Sequence, residues 1–225
     1  MIINDKRIRI ITGHYGSGKT EFAINYVMRL RELTNKNIAV ADLDVVNAYF
    51  RIREKKKELE NANILTIDSS IDAPNLDLPA LSAQIMTPIN DKSYEYVMDV
   101  GGDNVGARVV GRFSDIIEKE EYDMLFVVNA NREKTQTPDQ VIQYIKSIEN
   151  SSKLKITGLI NNTHLIRDTR VEDILKGEKV VKKVSEDLCI PVKYTSCLEN
   201  LVCELPKNIE GEIIPIKLHM REDWM

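Results

Sequence analysis

Three scarcities bound this 225-residue chain before any motif is read. Long apolar runs are missing: the longest, such as Met124 to Val128, hold about five residues, against the roughly twenty a helix needs to cross a bilayer. Stable membrane binding is therefore not expected, and since nothing resembles a signal peptide, a cytoplasmic location is. Cysteine is scarce as well. Cys189, Cys197 and Cys203 are an odd set without a CxxC pair, which suits reduced thiols in that compartment, with metal ligation by Cys197 and Cys203 across two subunits as the alternative.

A large excess of charge of one sign is the third scarcity. The formal net charge is -4, which argues against nucleic acid as a partner, because that affinity depends on clustered basic residues that neutralise phosphates. The run Lys55-Lys56-Lys57 is flanked by Glu54, Glu58 and Glu60 and reads as a solvated helix face.

What remains is ample for one globular domain: 43% hydrophobic and 29% charged residues in a chain long enough to bury a substantial core. We read 1–225 as a single domain, with the core at about 7–200 and a tail over 201–225. Apolar runs alternate with helical patterns, without repeats or low-complexity segments, and this implies parallel βαβ units. Strands are expected at Arg7 to Thr12, Asn37 to Leu43, Asn63 to Ile67, Tyr94 to Val100, Asp123 to Asn129, Lys155 to Asn161 and Val192 to Thr195. Thr137-Pro138-Asp139-Gln140 and Thr169 with Glu172 read as capping boxes that open helices. The stripe Val141, Ile142, Ile145 and Ile148 should pack on the sheet. Alternation of Ile214, Ile216, Leu218 and Met220 suggests a terminal strand or a partner-binding tail. Residues 71–79, with Pro74 and Pro79, look like a loop entering a helix and a rigid rim for a site.

The most informative segment is Gly13-His14-Tyr15-Gly16-Ser17-Gly18-Lys19-Thr20. It fits GxxxxGK[ST], and its flanks are the right ones: a short apolar strand before it, and Phe22, Ala23, Tyr26, Val27, Leu30 and Leu33 at helical spacing after it. Glycines let backbone N–H groups approach phosphates, Lys19 reaches the outer phosphate oxygens, and the Thr20 hydroxyl can ligate Mg²⁺. The helix N-terminus adds partial positive charge.

Hydrolysis needs carboxylates, and two strand ends supply them. The strand ending Val97-Met98-Asp99 continues Val100-Gly101-Gly102, a DxxG pattern in which Asp99 would hold Mg²⁺ through water and the Gly102 backbone would sense the γ-phosphate. Asp42 and Asp44 close the strand Ile38 to Ala41, at the end where parallel strands place ligands, and one of them would orient the attacking water.

Together the loop, Asp42-Leu43-Asp44 and Asp99-Val100-Gly101-Gly102 resemble the MinD/ParA-type ATPases of the SIMIBI class of P-loop proteins, a group that includes the nitrogenase iron protein and cobyrinic acid synthases. The resemblance covers about residues 7 to 200, and only the phosphate loop in it is highly specific. It implies an α/β, three-layer P-loop NTPase fold with a mostly parallel central sheet of about seven strands flanked by helices. It also implies ATP and Mg²⁺ as cofactors, Asp44 as the residue that positions water, and Asp99 as the Walker B acid. The chain departs from that pattern at His14, where most of the family carries a second lysine that reaches across a homodimer. His14 is either a pH-sensitive substitute for that contact or an exposed loop histidine, so the homodimer around ATP that the resemblance implies cannot be assumed, and a homodimer stays open as a partner.

The segment Gly158 to Leu165 follows a strand at the place where such proteins read the base. It resembles the Asn-Lys-x-Asp stretch of nickel-metallochaperone GTPases, but His164 stands where their aspartate would accept two bonds from guanine. In the nitrogenase iron protein a similar stretch has an asparagine that meets adenine. That corresponds to Asn162 here, with Asn161 the alternative one residue away. ATP is thus the expected nucleotide. Arg51, Arg53, Arg108 and Arg112 are candidates for stabilising transition-state charge.

These features describe an ATPase switch that acts on a protein partner. A γ-phosphoryl transferase acting on a small metabolite, resembling dethiobiotin synthetase, is the alternative, and a membrane- or DNA-positioning ATPase is a third reading. The tail 211–221 lacks the basic amphipathic character of a membrane helix.

Overall fold

The computed structural model describes residues 2–44, 51–68 and 83–220. The proline-bearing segment 71–79 lies outside the described residues. Eight strands form one sheet: β1 (Ile8–Gly13), β2 (Asn37–Leu43), β3 (Ile64–Asp68), β4 (Tyr94–Val100), β5 (Tyr122–Val128), β6 (Gly158–Asn161), β7 (Val192–Leu198) and β8 (Glu212–Ile216). The order across the sheet is β3-β2-β4-β1-β5-β6-β7-β8, and every described pairing is parallel. The connecting helices are α1 (Lys19–Leu33), α2 (Lys56–Asn61), α3 (Met86–Asn90), α4 (Asn104–Gly111), α5 (Ser114–Ile117), α6 (Pro138–Ser152) and α7 (Val171–Leu188).

Both faces of the sheet are covered, so the central strands are buried on both sides and mostly apolar, with polar residues such as Arg9, Glu95 and Asp99 toward their ends. Because successive side chains point to opposite faces, Ile8 and Ile10 of β1 join one core layer with Val141, Ile145 and Ile148 of α6 and Val181 and Val184 of α7. Ile11 joins the other layer, with Phe22, Tyr26, Val27 and Leu30 of α1. The expected α6 stripe therefore does face the sheet. Its start is the expected capping box, with Thr137 Oγ1 accepting from Gln140 N and Gln140 Oε1 accepting from Thr137 N. The start of α7 lies one residue later than the sequence suggests. Asp173 accepts from Arg170 N, while Thr169 Oγ1 accepts from Leu165 N and donates to Ile166 O.

The eighth strand is the main addition to the expected seven. β8 pairs with β7 in register Tyr194↔Glu212 to Leu198↔Ile216, and it buries Ile214 and Ile216. The tail after it is held by α1: Glu21 accepts from the backbone N–H groups of His219 and Met220, and Asn25 bonds the Lys217 backbone in both directions. Of the two readings of the alternating tail, the terminal strand is the one present.

Polar residues at the amino ends of the strands form a separate network. Arg9, only 1% exposed, lies against Glu95 at 2.5 Å, and Lys36 reaches the other Glu95 oxygen at 2.7 Å. Asp5 accepts from the hydroxyls of Tyr26 and Tyr194 and pairs with Lys193 at 3.0 Å. These charges lie at the end of the sheet away from the glycine-rich loop.

Candidate nucleotide-binding site

Register brings the chemistry together at the carboxyl ends of the strands. β1 lies beside β4 with Ile11↔Asp99, and β4 lies beside β2 with Asp42↔Asp99. The loop after β1 and both acidic strand ends therefore meet in space. Gly16 and Gly18 take φ values of 74° and 80°, a left-handed conformation that glycine adopts without penalty. Gly18 has a second constraint, because a Cβ there would lie 2.5 Å from Asn162 Nδ2. Ser17 N donates to His14 O, and α1 opens at Lys19.

Lys19 Nζ sits 2.7 Å from Asp44 Oδ2, with both side chains about 5% exposed. Burial pulls the ammonium pKa down, but the attraction of Asp99 and Asp44 outweighs it and holds Lys19 charged. Thr20 Oγ1 donates to Asp99 Oδ2 at 2.6 Å. Burial pushes the Asp99 carboxyl up to about 7, with Asp42 and Asp44 adding to the rise and Lys19 and Thr20 opposing it. Asp99 Oδ1 is buried and, among the described residues, has no hydrogen-bond partner. An orphaned carboxylate oxygen beside a threonine hydroxyl fits a hard cation that keeps several of its waters and takes phosphate oxygens as further ligands.

Asp42 is committed differently: its Oδ2 accepts from Arg51 Nε at 2.8 Å, and its Oδ1 accepts from Asp44 N. Burial raises its pKa, opposed by Arg51. Asp44 is thus the acid that contacts Lys19, and Asp42 ties the chain after β2 to Arg51. Arg51 is buried in this pairing, whereas Arg53 and Arg108 are exposed, and neither they nor Arg112 lines the cavity described below.

The DxxG segment lies against the phosphate loop. A Cβ on Gly102 would fall 1.8 Å from Gly13 O, and one on Gly101 would fall 3.0 Å from Asp44 Oδ1. Tyr144 of α6 donates its hydroxyl to Gly102 O at 2.5 Å. The His14 ring meets the same tyrosine edge-on, with centroids 5.1 Å apart. His14 is thus half-buried and not an exposed loop histidine. Burial lowers its pKa, a backbone hydrogen bond at Tyr15 opposes this, and Arg132, Lys134 and Lys19 lower it further.

A cavity of about 560 Å³ opens beside the loop. It is lined by His14, Tyr15, Gly16, Gly18, Lys19 and Thr20 of the loop, by Asn162 against that loop, and by Ser196, Cys197, Leu198, Ile216 and Met220. The two asparagines left open by sequence now separate. Asn161 is fully buried, with Nδ2 donating to Ile174 O and Oδ1 accepting from Thr163 N. It serves the β6–α7 junction and does not line the cavity. Asn162 does, donating to Ser17 O at 2.7 Å while Ser196 Oγ donates to its Oδ1 at 2.5 Å. Cys197 is in the cavity wall and Cys203 is exposed. Among the described residues no group of three or more His, Cys, Asp or Glu could hold a metal ion.

Sequence reasoning missed Arg132, Ser196 and Tyr144. Arg132 follows β5, where only the end of an apolar run marked it. Ser196 reaches Asn162 across the pairing of β6 and β7, which no local pattern reveals. Tyr144 lies on α6, one residue short of the apolar Ile145.

No family model matches the sequence, and no curated protein matches it. Solved structures do. FtsY from Thermotoga maritima aligns with TM-score 0.59 and 18% identity over 85% of this chain and 62% of that one. FtsY from Mycoplasma mycoides aligns with TM-score 0.57 and 17% identity over 84% and 60%. The signal recognition particle receptor FtsY from Elizabethkingia anophelis, in complex with GDP, aligns with TM-score 0.53 and 14% identity over 84% and 56%. The chain thus spans about three fifths of the length of these structures. Identities this low speak to fold and not to activity. By sheet order and structural likeness, the chain has an α/β fold like that of the P-loop NTPases, with one parallel sheet of eight strands between layers of helices.

Proposed function

We propose that this protein binds and hydrolyses a purine nucleoside triphosphate with Mg²⁺, ATP before GTP, and uses the cycle as a switch read by a protein partner. The observation that carries the reading is the pair of buried contacts Lys19–Asp44 and Thr20–Asp99 at one end of a nucleotide-sized cavity. Lys19 and the backbone N–H groups of residues 13–20 hold the phosphates. Thr20 and Asp99 would hold the magnesium ion, which supplies charge neutralisation at the phosphates. Asp44 orients the attacking water once the incoming phosphates draw Lys19 away from it. The Gly102 N–H would report the γ-phosphate to α6 through Tyr144, which holds Gly102 O, and a segment ordered by the γ-phosphate and released on hydrolysis is a known form of nucleotide switch.

Among the described residues, Glu21 and Glu133 are the carboxylates that line the cavity. Both Glu21 oxygens accept backbone N–H groups, and Glu133 is exposed beside Arg132 at the loop end. Neither is placed like the bidentate acceptor that guanine reading uses. Guanine is the second reading, favoured by the GDP in the E. anophelis FtsY structure. Phosphate release from ATP and from GTP, with Mg²⁺ and with chelator, separates the two, with Lys19→Ala as the control. Mg²⁺-dependent turnover at least tenfold more efficient with ATP is expected. A preference for GTP would replace the base assignment, and no turnover or binding of either would remove the proposal.

A further inference from the structure

We propose that Arg132 is a second phosphate-contacting cation, supplied in cis, that recognises the outer phosphate of the bound triphosphate. The inference rests on the nucleotide-hydrolase reading above and assigns a residue that no motif in the chain marks. Its backbone is fixed: Arg132 N donates to Asn129 O at 3.0 Å, Thr135 N donates to Arg132 O at 2.9 Å, and Thr135 Oγ1 donates to Asn129 O at 2.7 Å. From this pinned turn the side chain crosses to the phosphate loop, where Nε donates to Gly16 O at 2.8 Å. A Cβ on Gly16 would lie 3.1 Å from Nε and 3.3 Å from Cζ, so the guanidinium rests directly on the loop backbone.

One donor of the five in a guanidinium is used in that contact. The other N–H groups have no hydrogen-bond partner among the described residues, and the side chain lines the cavity with Lys134 and Lys19. Loop support alone would need only Nε. A planar fork held against the phosphate loop, always charged and suited to two oxygens at once, matches a phosphoryl group better than it matches a solvated surface arginine. The field of Arg132, Lys134 and Lys19 also reaches His14 and disfavours its protonation, which agrees with cations concentrated at the phosphate end. Charge that develops on the outer phosphate during transfer would meet a group already in place.

The test measures ATP and ADP affinity by calorimetry, together with hydrolysis, for wild type, Arg132→Ala and Arg132→Lys. The alanine variant should lose about tenfold more affinity for ATP than for ADP, and its kcat should fall about 10- to 100-fold, with an unchanged melting temperature because the side chain is exposed. Lysine should recover part of both losses by restoring the charge. An equal loss for ATP and ADP would leave loop support as the only role and overturn the proposal, as would an alanine variant indistinguishable from wild type. A wild type that binds ATP without hydrolysing it would challenge the hydrolase reading, while the ATP/ADP ratio would still decide the role of Arg132. A wild type that binds neither nucleotide overturns both.

Discussion

Lys19 and Asp44 form a buried ion pair at 2.7 Å, joining the residue expected to hold phosphate to the residue expected to orient water. Each holds the other in place until phosphate competes for the ammonium. The two residues should therefore separate in mutation. Lys19→Ala should abolish measurable nucleotide binding and take from buried Asp44 the cation at 2.7 Å, at a cost of about 3–5 kcal/mol in urea unfolding. Asp44→Asn should keep triphosphate affinity within a few-fold and slow turnover by about 100-fold or more. Normal turnover by Asp44→Asn would take that residue out of the mechanism.

Asn161 and Asn162 are neighbours with opposite duties. Removing the Asn161 amide strands Ile174 O and Thr163 N in the interior, so Asn161→Ala should lower stability by about 1–3 kcal/mol while nucleotide affinity stays close to wild type. Asn162→Ala should weaken nucleotide binding by about tenfold, since its amide lines the cavity and grips the loop through Ser17 O. Paired thermal-melt and nucleotide-titration curves check both, and equal effects on affinity would erase the distinction.

At the other end of the strands, acid should loosen the fold through Glu95. Burial pushes that carboxyl up, but hydrogen bonds and charge from Lys36 and Arg9 outweigh it and hold the pKa below its ordinary 4.5. A carboxyl whose folded pKa is depressed contributes stability above its unfolded pKa and loses it as pH falls through the folded value. Urea midpoints should thus decline below about pH 4.5. Glu95→Gln should already be weaker by about 3–5 kcal/mol at pH 7, because Arg9 is left buried without its anion, and should depend less on pH in the acid range. An unchanged acid profile in the variant would assign the loss to other carboxylates, Asp123 first among them.

Much of this architecture was legible in the sequence because it rests on local rules. The bounds of β2 and β4 were given by apolar runs alone, and the loop by a motif whose spacing follows from the chemistry, whereas the strand end offered Asp42 and Asp44 alike and only the resemblance chose between them. What escaped depends on contacts distant along the chain. The alternation around Ile214 and Ile216 offered β8 only as one of two readings of the tail, because what makes it a strand is the edge of β7. The choice between Asn161 and Asn162 turns on a single step in β6 that decides which amide faces α7. His14 looked exposed because nothing near it in sequence announces Tyr144.

The clasp between Glu21 in the first turn of α1 and the backbone of His219 and Met220 also has a temporal side. The helix behind the phosphate loop emerges early from the ribosome, but the segment that latches onto it, and that brings Ile216 and Met220 to the cavity wall, is made roughly two hundred residues later. At about 5–20 residues per second, the loop waits some ten seconds or more for that wall. A nascent chain stalled before residue 212 would carry the whole motif and an unfinished pocket, so its presence alone does not time the onset of nucleotide binding.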